Sequence, residues 1–496
     1  MNRLQAVSRL PWAKALCSAL ACVAPSAVHA HAFAAPYTLP VPFWMYAYGA
    51  SAALVVSFVI VGFFASASGE RSTALAPIHA VDSQHSVRPV PQTMVTTLRA
   101  IALLLLVLCV TSGLVGTSNP FLNINMTMFW IVFVLGLTYA TALVGDIFAF
   151  ANPWRTLCEG AHRAGLLSRS GRVAYPPMLA SYPALLLYLV FIWVELFGHT
   201  TPLQLSIYLL GYTLLTLYFS RLFGIDAWFR HGELFSLFFR LVGLMAPVEY
   251  RTCARRGVEC RLRLPLSGLL QRQPVDTSLV LFVLFMLAST AFDGAHETQP
   301  WSRLFWRGVY PWIEPAVAAT SVQPYTVAAR LYYRWQWLML ALSPLLYFGL
   351  YAGFIALSRH VSGSTRSTRE LGQLFAQSLL PIAFVYHLTH YYTLLPAQGI
   401  QFIKLISDPL GWGWNLFGTA RIALPPVLLD ASVIWHSQVA LILTGHIASV
   451  FIAHMEALRV FPDQRGAVAS QIPMLLLMVG LTVGGLWILS LPMGSG

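Results

Sequence analysis

Charge is what this 496-residue sequence has least of. Asp, Glu, Lys and Arg together make up 10% of it, against about a quarter in a soluble globular chain. With so few charges there is no polar shell to present to water, and a soluble enzyme fold is excluded from the outset. Acidic residues are scarcer than basic ones, 18 against 30, leaving a net charge of +12. That surplus does not point to nucleic acid, because the basic residues sit in short segments between apolar runs, where they act as topology signals. Cysteine is sparse as well. Of six, Cys17 and Cys22 precede the mature chain, Cys109 lies in an apolar run, and Cys158, Cys253 and Cys260 fall in basic loops. No C-x-x-C occurs, so neither a disulfide framework nor a thiolate metal site is expected. Phosphate-binding loops, a G-x-S-x-G elbow and a dinucleotide fingerprint are all missing, which removes support for ATP-driven work and for a standard serine hydrolase. Internal repeats are missing too, and with them the inverted-repeat transporter plan.

What the sequence has in abundance is apolar length. Hydrophobic residues fill 57% of the chain. Residues 1–30 read as a secretory signal: Arg3, Arg9 and Lys14 open it, a short apolar stretch follows from Ala15, and Val28-His29-Ala30 supplies the cleavage pattern. His31 then begins a single membrane domain, 31–496. Runs long enough to span a bilayer lie near 43–66, 98–116, 125–144, 179–197, 203–220, 278–292, 333–357, 371–393, 433–456 and 472–491. The expected fold is an all-α polytopic membrane protein of about ten transmembrane helices. The segment 228–249, with Arg230, His231, Glu233 and Arg240 among aromatics, is expected to be an amphipathic helix lying in the interface. The stretches 294–332 and 394–432 are expected as two longer periplasmic loops. With residue 31 in the periplasm, 21 Lys and Arg fall on the cytoplasmic side and six outside. The expected orientation therefore puts both mature termini on the periplasmic side of an inner membrane. The bilayer is its first partner. Gly480-x-x-x-Gly484 in the last span reads as ordinary helix packing.

Ionisable side chains inside a bilayer cost several kcal/mol, so each is a functional candidate. Here they share a depth. Glu195 and His199 close the fourth span; Asp293, His296 and Glu297 close the sixth; His387 and His390 lie in the outer half of the eighth; His436 and His446 belong to the ninth. His387 and His390 are three apart and share a helical face, which suits a divalent metal, with Asp293, His296 or His446 completing the set. Zinc, copper and iron all accept such nitrogen and carboxylate donors. The bland alternative is one histidine bonded to a neighbouring helix and the other at the headgroups. If cleavage exposes His31, its amine and imidazole together form a separate chelate of the kind Cu(II) favours, the alternative being a frayed terminus. Asp408, Trp412 and Trp414 form either a lid over the His387/His390 region or a plain Asp-Pro turn.

Several strings in fixed order carry a resemblance: HAFAAPYTLPVPFWMYAYGASAALVVSF from His31, NPWR at 152–155, AFDG at 291–294, HLTHYYTLLPAQGIQFIKLISDPLGWGWNLFGTA at 387–420 and QVALILTGHIASVFIAH at 438–454. Through them the chain resembles the bacterial membrane-protein family named fenitrothion hydrolase. The resemblance implies hydrolysis of an apolar organophosphorus triester, releasing a nitrophenol and a dialkyl thiophosphate. It supplies no catalytic residues. On the physical reading, His387, His390 and His296 hold the metal while Asp293 or Glu297 serves as ligand or general base. Two other readings stand beside it: a copper or divalent-metal handling protein, and a non-catalytic membrane subunit whose second membrane subunit carries the activity.

Overall fold

All ten apolar runs become helices in the computed structural model, which describes residues 39, 41–67, 87–253, 257–271, 275–320, 323–425, 429–461 and 463–491. The expected signal segment and His31 lie outside the described residues. The chain is therefore an all-α polytopic membrane protein. Its spans are α1 (Phe43–Ala67), α2 (Gln92–Val115) and α3 (Ile124–Val144). After α4 (Pro153–Arg163), which is too short to span, come α5 (Tyr182–Phe197) and α6 (Pro202–Phe223). A second short helix, α7 (Leu234–Gly243), precedes α8 (Thr277–His296), α9 (Pro324–Val361), α10 (Thr368–Tyr391), α11 (Ala431–Val460) and α12 (Gln464–Ser490).

Helices α8 and α10 form the centre. Every residue of α8 from Val280 to Thr290 is buried, the signature of a helix apolar on all sides and packed on all sides. It is flanked by α5, α9, α10 and α12, while α10 leans on α11, and α1 joins α11 and α12 in an outer group. Where helices approach most closely, glycine makes room. A methyl on Gly113 of α2 would stand 2.2 Å from the Pro202 carbonyl oxygen at the start of α6. Gly480 and Gly484 are different, having nothing within 4 Å of an added methyl, so the G-x-x-x-G of α12 packs against no other part of the described chain. The neighbouring Gly485 is the one that packs, against the Tyr386 ring of α10.

The structure corrects the interfacial reading of 228–249. A turn of helix from Ile225 to His231 is followed by α7, and Leu234, Phe235, Leu237, Phe239, Leu241 and Val242 are all buried between α3, α5 and α10. Of the charges that suggested a wet face, Glu233 serves the start of α7, and Arg263 from beyond the segment serves its end. Glu233, fully buried, is the N-cap, accepting from the backbone N–H groups of Phe235 (3.1 Å) and Ser236 (2.7 Å), from the Tyr212 phenol and from the Asn152 amide (3.3 Å). At the other end Arg263 donates to the carbonyls of Gly243 (2.6 Å) and Ala246 (2.9 Å). A carboxylate at the positive end of a helix and a guanidinium at the negative end cancel its dipole where water cannot. The loop after α7 is also more ordered than a plain polar connection: strands β2 (Val248–Cys253) and β3 (Gly257–Leu262) pair antiparallel, and β1 (Arg88–Pro89) joins β3. The stretch 294–332 is mostly helical, running through Gln299–Arg303, a π-turn at Leu304–Val309 and Tyr310–Thr320.

Gly113→Ala should lower stability by about 1–3 kcal/mol through overpacking, whereas Gly480→Ala and Gly484→Ala should leave it unchanged or slightly raised. Thermal unfolding of the purified variants in one detergent checks the contrast.

Candidate functional site

The ends of α5, α8 and α10 meet at one level of the bundle, and there the sequence has placed Glu195, Asp293, His387, His390 and Tyr391. Asp293 is the hub. It lies three residues before the end of α8, 5% exposed and away from bulk water. His390 Nε2 is 2.7 Å from Asp293 Oδ2, a distance at which the ring N–H donates to the carboxylate, and the Tyr391 hydroxyl donates to the same oxygen at 2.6 Å. These two partners are successive residues of α10, so one turn of that helix supplies both.

The remaining predicted residues divide into those that join this centre and those that do not. His387, one turn earlier on α10, shares the cavity with Asp293. Its ring stands 5.0 Å from Tyr391, 5.9 Å from Tyr139 and 6.5 Å from Phe238, and its Nδ1 is buried with no hydrogen-bond partner. His296 turns back on its own helix, with Nδ1 donating to the Asp293 backbone carbonyl at 2.7 Å and only 3.9 Å from the carboxylate oxygen Oδ1. Glu297 is the C-cap of α8 and stays outside the hydrogen-bonded set. His446 is not brought to the site. It packs on Tyr386, whose hydroxyl bonds to Leu481 of α12, and its Nδ1 is used by the Ile442 carbonyl at 2.8 Å. On α10, Tyr386 faces the α11–α12 side while His387 faces α3 and α7.

Nor does the expected lid reach the centre. Asp408 spends both carboxylate oxygens on its own turn, accepting from the N–H groups of Trp412 (2.9 Å) and Gly413 (2.8 Å). The turn then docks on the corner between α2 and α3, where the Leu410 carbonyl accepts from Thr117 and the Pro409 carbonyl from Ile124. Trp412 and Trp414 stack edge to face, both exposed. This is the Asp-Pro turn reading, not a cover for His387 and His390.

Two residues that the sequence reading did not assign complete the site. Tyr391 carried a signal, since it neighbours His390 and lies four residues, one turn, after His387. Glu195, the lone acid of α5, lines the same cavity and interacts with Tyr391. The cavity between α3, α5, α7, α8 and α10 has Glu195, Asp293, His387 and Tyr391 at its polar end, with Ser289 and Thr290 beside them. Tyr188, Phe191, Phe235, Phe238 and Phe239 give the rest an aromatic lining. It is narrow, with room for about one or two water molecules. No protein-family model, curated protein or solved structure matches the chain.

The site's chemistry must therefore be argued from its donors. Among the described residues no three His, Cys, Asp or Glu side chains are placed to hold one metal ion together. His390 and His296 have each committed one nitrogen to Asp293, while the His387 Nδ1 is buried without a partner. What is assembled is an acid–base pair, Asp293 with His390, steadied by a phenol. The carboxylate orients the ring and can stabilise the imidazolium when that ring takes up a proton.

Tyr391→Phe should cost about 1.5–3 kcal/mol, the contribution of a hydrogen bond to a charged group, since it leaves a buried carboxylate with one donor fewer. Thermal unfolding against wild type reads this directly, and a cost as small as that of a surface substitution would contradict the hub role of Asp293.

Proposed function

We propose that this chain is a membrane-embedded hydrolase of apolar organophosphorus triesters, with the Asp293–His390 pair as its general base. One observation carries the proposal: a carboxylate buried in a membrane span, that of Asp293, lines an aromatic-walled cavity and is held by the His390 imidazole at 2.7 Å. An unpaired structural histidine would not need a buried acid, and a buried acid is costly to keep unless it does something. In this reading Asp293, which lines the cavity and is paired with His390, takes the proton of a water molecule as the water's oxygen attacks phosphorus. The phosphorus–aryl oxygen bond breaks, and nitrophenolate leaves with the bonding electron pair. Its low basicity makes acid assistance unnecessary. The aromatic walls accept the aryl group. With the expected orientation, the site lies in the outer leaflet of the inner membrane, where a neutral triester dissolves.

A second reading, capture of a divalent metal such as zinc or copper, is favoured by one feature, the open and buried Nδ1 of His387 beside Glu195 and Asp293. A metal held there would lower the pKa of a bound water and polarise the phosphoryl group, so metal-assisted hydrolysis would use the same residues.

Nitrophenol release from proteoliposomes loaded with fenitrothion-type triesters tests the proposal. Asp293→Asn and His390→Ala should each lower the rate by about 10²–10⁴-fold, the usual worth of a positioned base, while Trp412→Ala should stay near wild type. Metal content of the same preparations separates the readings. Metal that is present in wild type and lost in His387→Ala, with no hydrolysis in either, would replace the hydrolase with a metal-handling protein.

A further inference from the structure

The cavity as it stands holds a water or two, and a triester needs several hundred Å³ more, the size of ordinary small-molecule sites. Something in its wall has to yield. At the end near Asp293 the cover is packed aromatic: His296 stacks on Phe292 at 5.5 Å and Trp301 meets the same ring edge-on at 5.2 Å. The opposite end is closed by α7, fastened at both termini by Glu233 and Arg263. On the remaining side, between α3 and α5, the wall is of another kind. Helix α5 packs its backbone on α7, α8 and α9. Toward α3 the seam is filled by rings, with Phe191 lying 5.7 Å from Trp130 and 6.4 Å from Phe129. Phe191 lines the cavity, and so do its neighbour Ile192 and, from α3, Val134. Just outside the seam, Leu186 and Val190 of α5 are 62% and 51% exposed and would face acyl chains.

The α3 side of this seam is unusual in its backbone. From Thr127 to Gly136 the helix is π, with Leu137 N–H bonded to the Val132 carbonyl five residues back. π-turns are rare, mostly single and frequent at functional sites. Ten residues in succession is long. The start of α3 is fastened by Asn123 and Asn125 to α2 and α6, so the movable part lies between: shifting a π-turn along Thr127–Gly136 turns the residues it passes by roughly 100° about the axis. That motion would swing Trp130 out of the seam while leaving Thr138, beside the polar end of the cavity, in place.

We propose that lipid-dissolved aromatic compounds reach the Asp293 cavity sideways from the bilayer, through the α3–α5 seam, with Trp130 and Phe191 as the shutter and the π segment as the part that moves. The route deepens the hydrolase reading by naming its substrate class, compounds that partition into lipid and carry a flat aryl group. The expected reaction supplies the reason for such access, but the route is testable without it.

The full-length chain in liposomes is irradiated with a phenyl diazirine that partitions into the bilayer, and adducts are mapped by mass spectrometry. Labels are expected on Val134 and Ile192 as well as on the lipid-facing Leu186 and Val190. Trp130→Ala should raise cavity labelling severalfold relative to Leu186, and Trp130→Phe should stay near the wild-type level. Phe191→Ala, on the other side of the seam, repeats the measurement if Trp130→Ala does not fold. Labels confined to Leu186 and Val190 in every variant overturn the route, and so does cavity labelling indifferent to both shutter residues. Cavity labelling that follows Trp130 in a protein that hydrolyses no triester supports the route and counts against the reaction alone.

Discussion

A carboxylate that cannot reach water must be given partners by the protein, and the arrangement around Asp293 follows from that constraint. Its position three residues before the end of α8 leaves it inside the bundle, 5% exposed. The partners come from α10, which presents His390 and Tyr391 on one turn, 2.7 and 2.6 Å from a single oxygen. This fixes the rotation of α10 about its axis. Once His390 and Tyr391 point at α8, His387 must face the cavity, and Tyr386 is turned toward α11 and α12, where it fills the space against Gly485. A pair of hydrogen bonds thus sets the register of the two central helices and decides which histidines meet.

The same logic operates a second time at α7. Ten helical residues cover about 15 Å, half the bilayer core, so both ends of α7 are buried and neither can use water. Glu233 and Arg263 replace it. The NPWR segment is part of this device: Asn152 bonds Glu233 and also begins α4, and Trp154 stacks on Phe235 at 5.6 Å while its indole N–H donates to Thr213. These residues hold the floor of the aromatic cavity, and their chemistry is spent in doing so.

These two networks show what could be read from residues alone and what could not. Span number was legible because length and apolarity are local properties, and bilayer thickness converts them into helices without tertiary information. The common depth of Glu195, Asp293, His387 and His390 was legible for the same reason, since alternating spans fix depth. Rotation was not. His446 sits at a suitable depth and still faces Tyr386, because the sequence does not say which face of α11 meets which neighbour. The 228–249 segment misled through its charges: Glu233 and Arg240 resemble a wet face until the caps that employ Glu233 are seen. Asp408 showed the converse, with a turn-forming dipeptide accounting for its carboxylate completely.

The two buried networks also explain why the cavity between them is soft on one side. Each is a rigid set of directed bonds, and α5, α7, α8 and α10 are pinned by one or the other or by the packing between them. Helix α3 takes part in neither; its own directed bonds, from Asn123 and Asn125 to α2 and α6, lie at its first turn, away from the cavity residues Val134 and Thr138. Its contribution to the cavity is Val134 and Thr138, and its contact with α5 consists of rings held by dispersion, which tolerate sliding at far smaller cost than a broken charged hydrogen bond. A π-helical run in this segment sets a rare backbone geometry next to that ring-filled wall. An active centre that needs a buried acid–base pair cannot open along its polar end without wetting the pair and levelling its chemistry with that of bulk water. Opening toward lipid admits an apolar molecule without flooding the centre with bulk water. The separation of a fixed polar centre from a deformable apolar wall is therefore what a site fed from the bilayer requires.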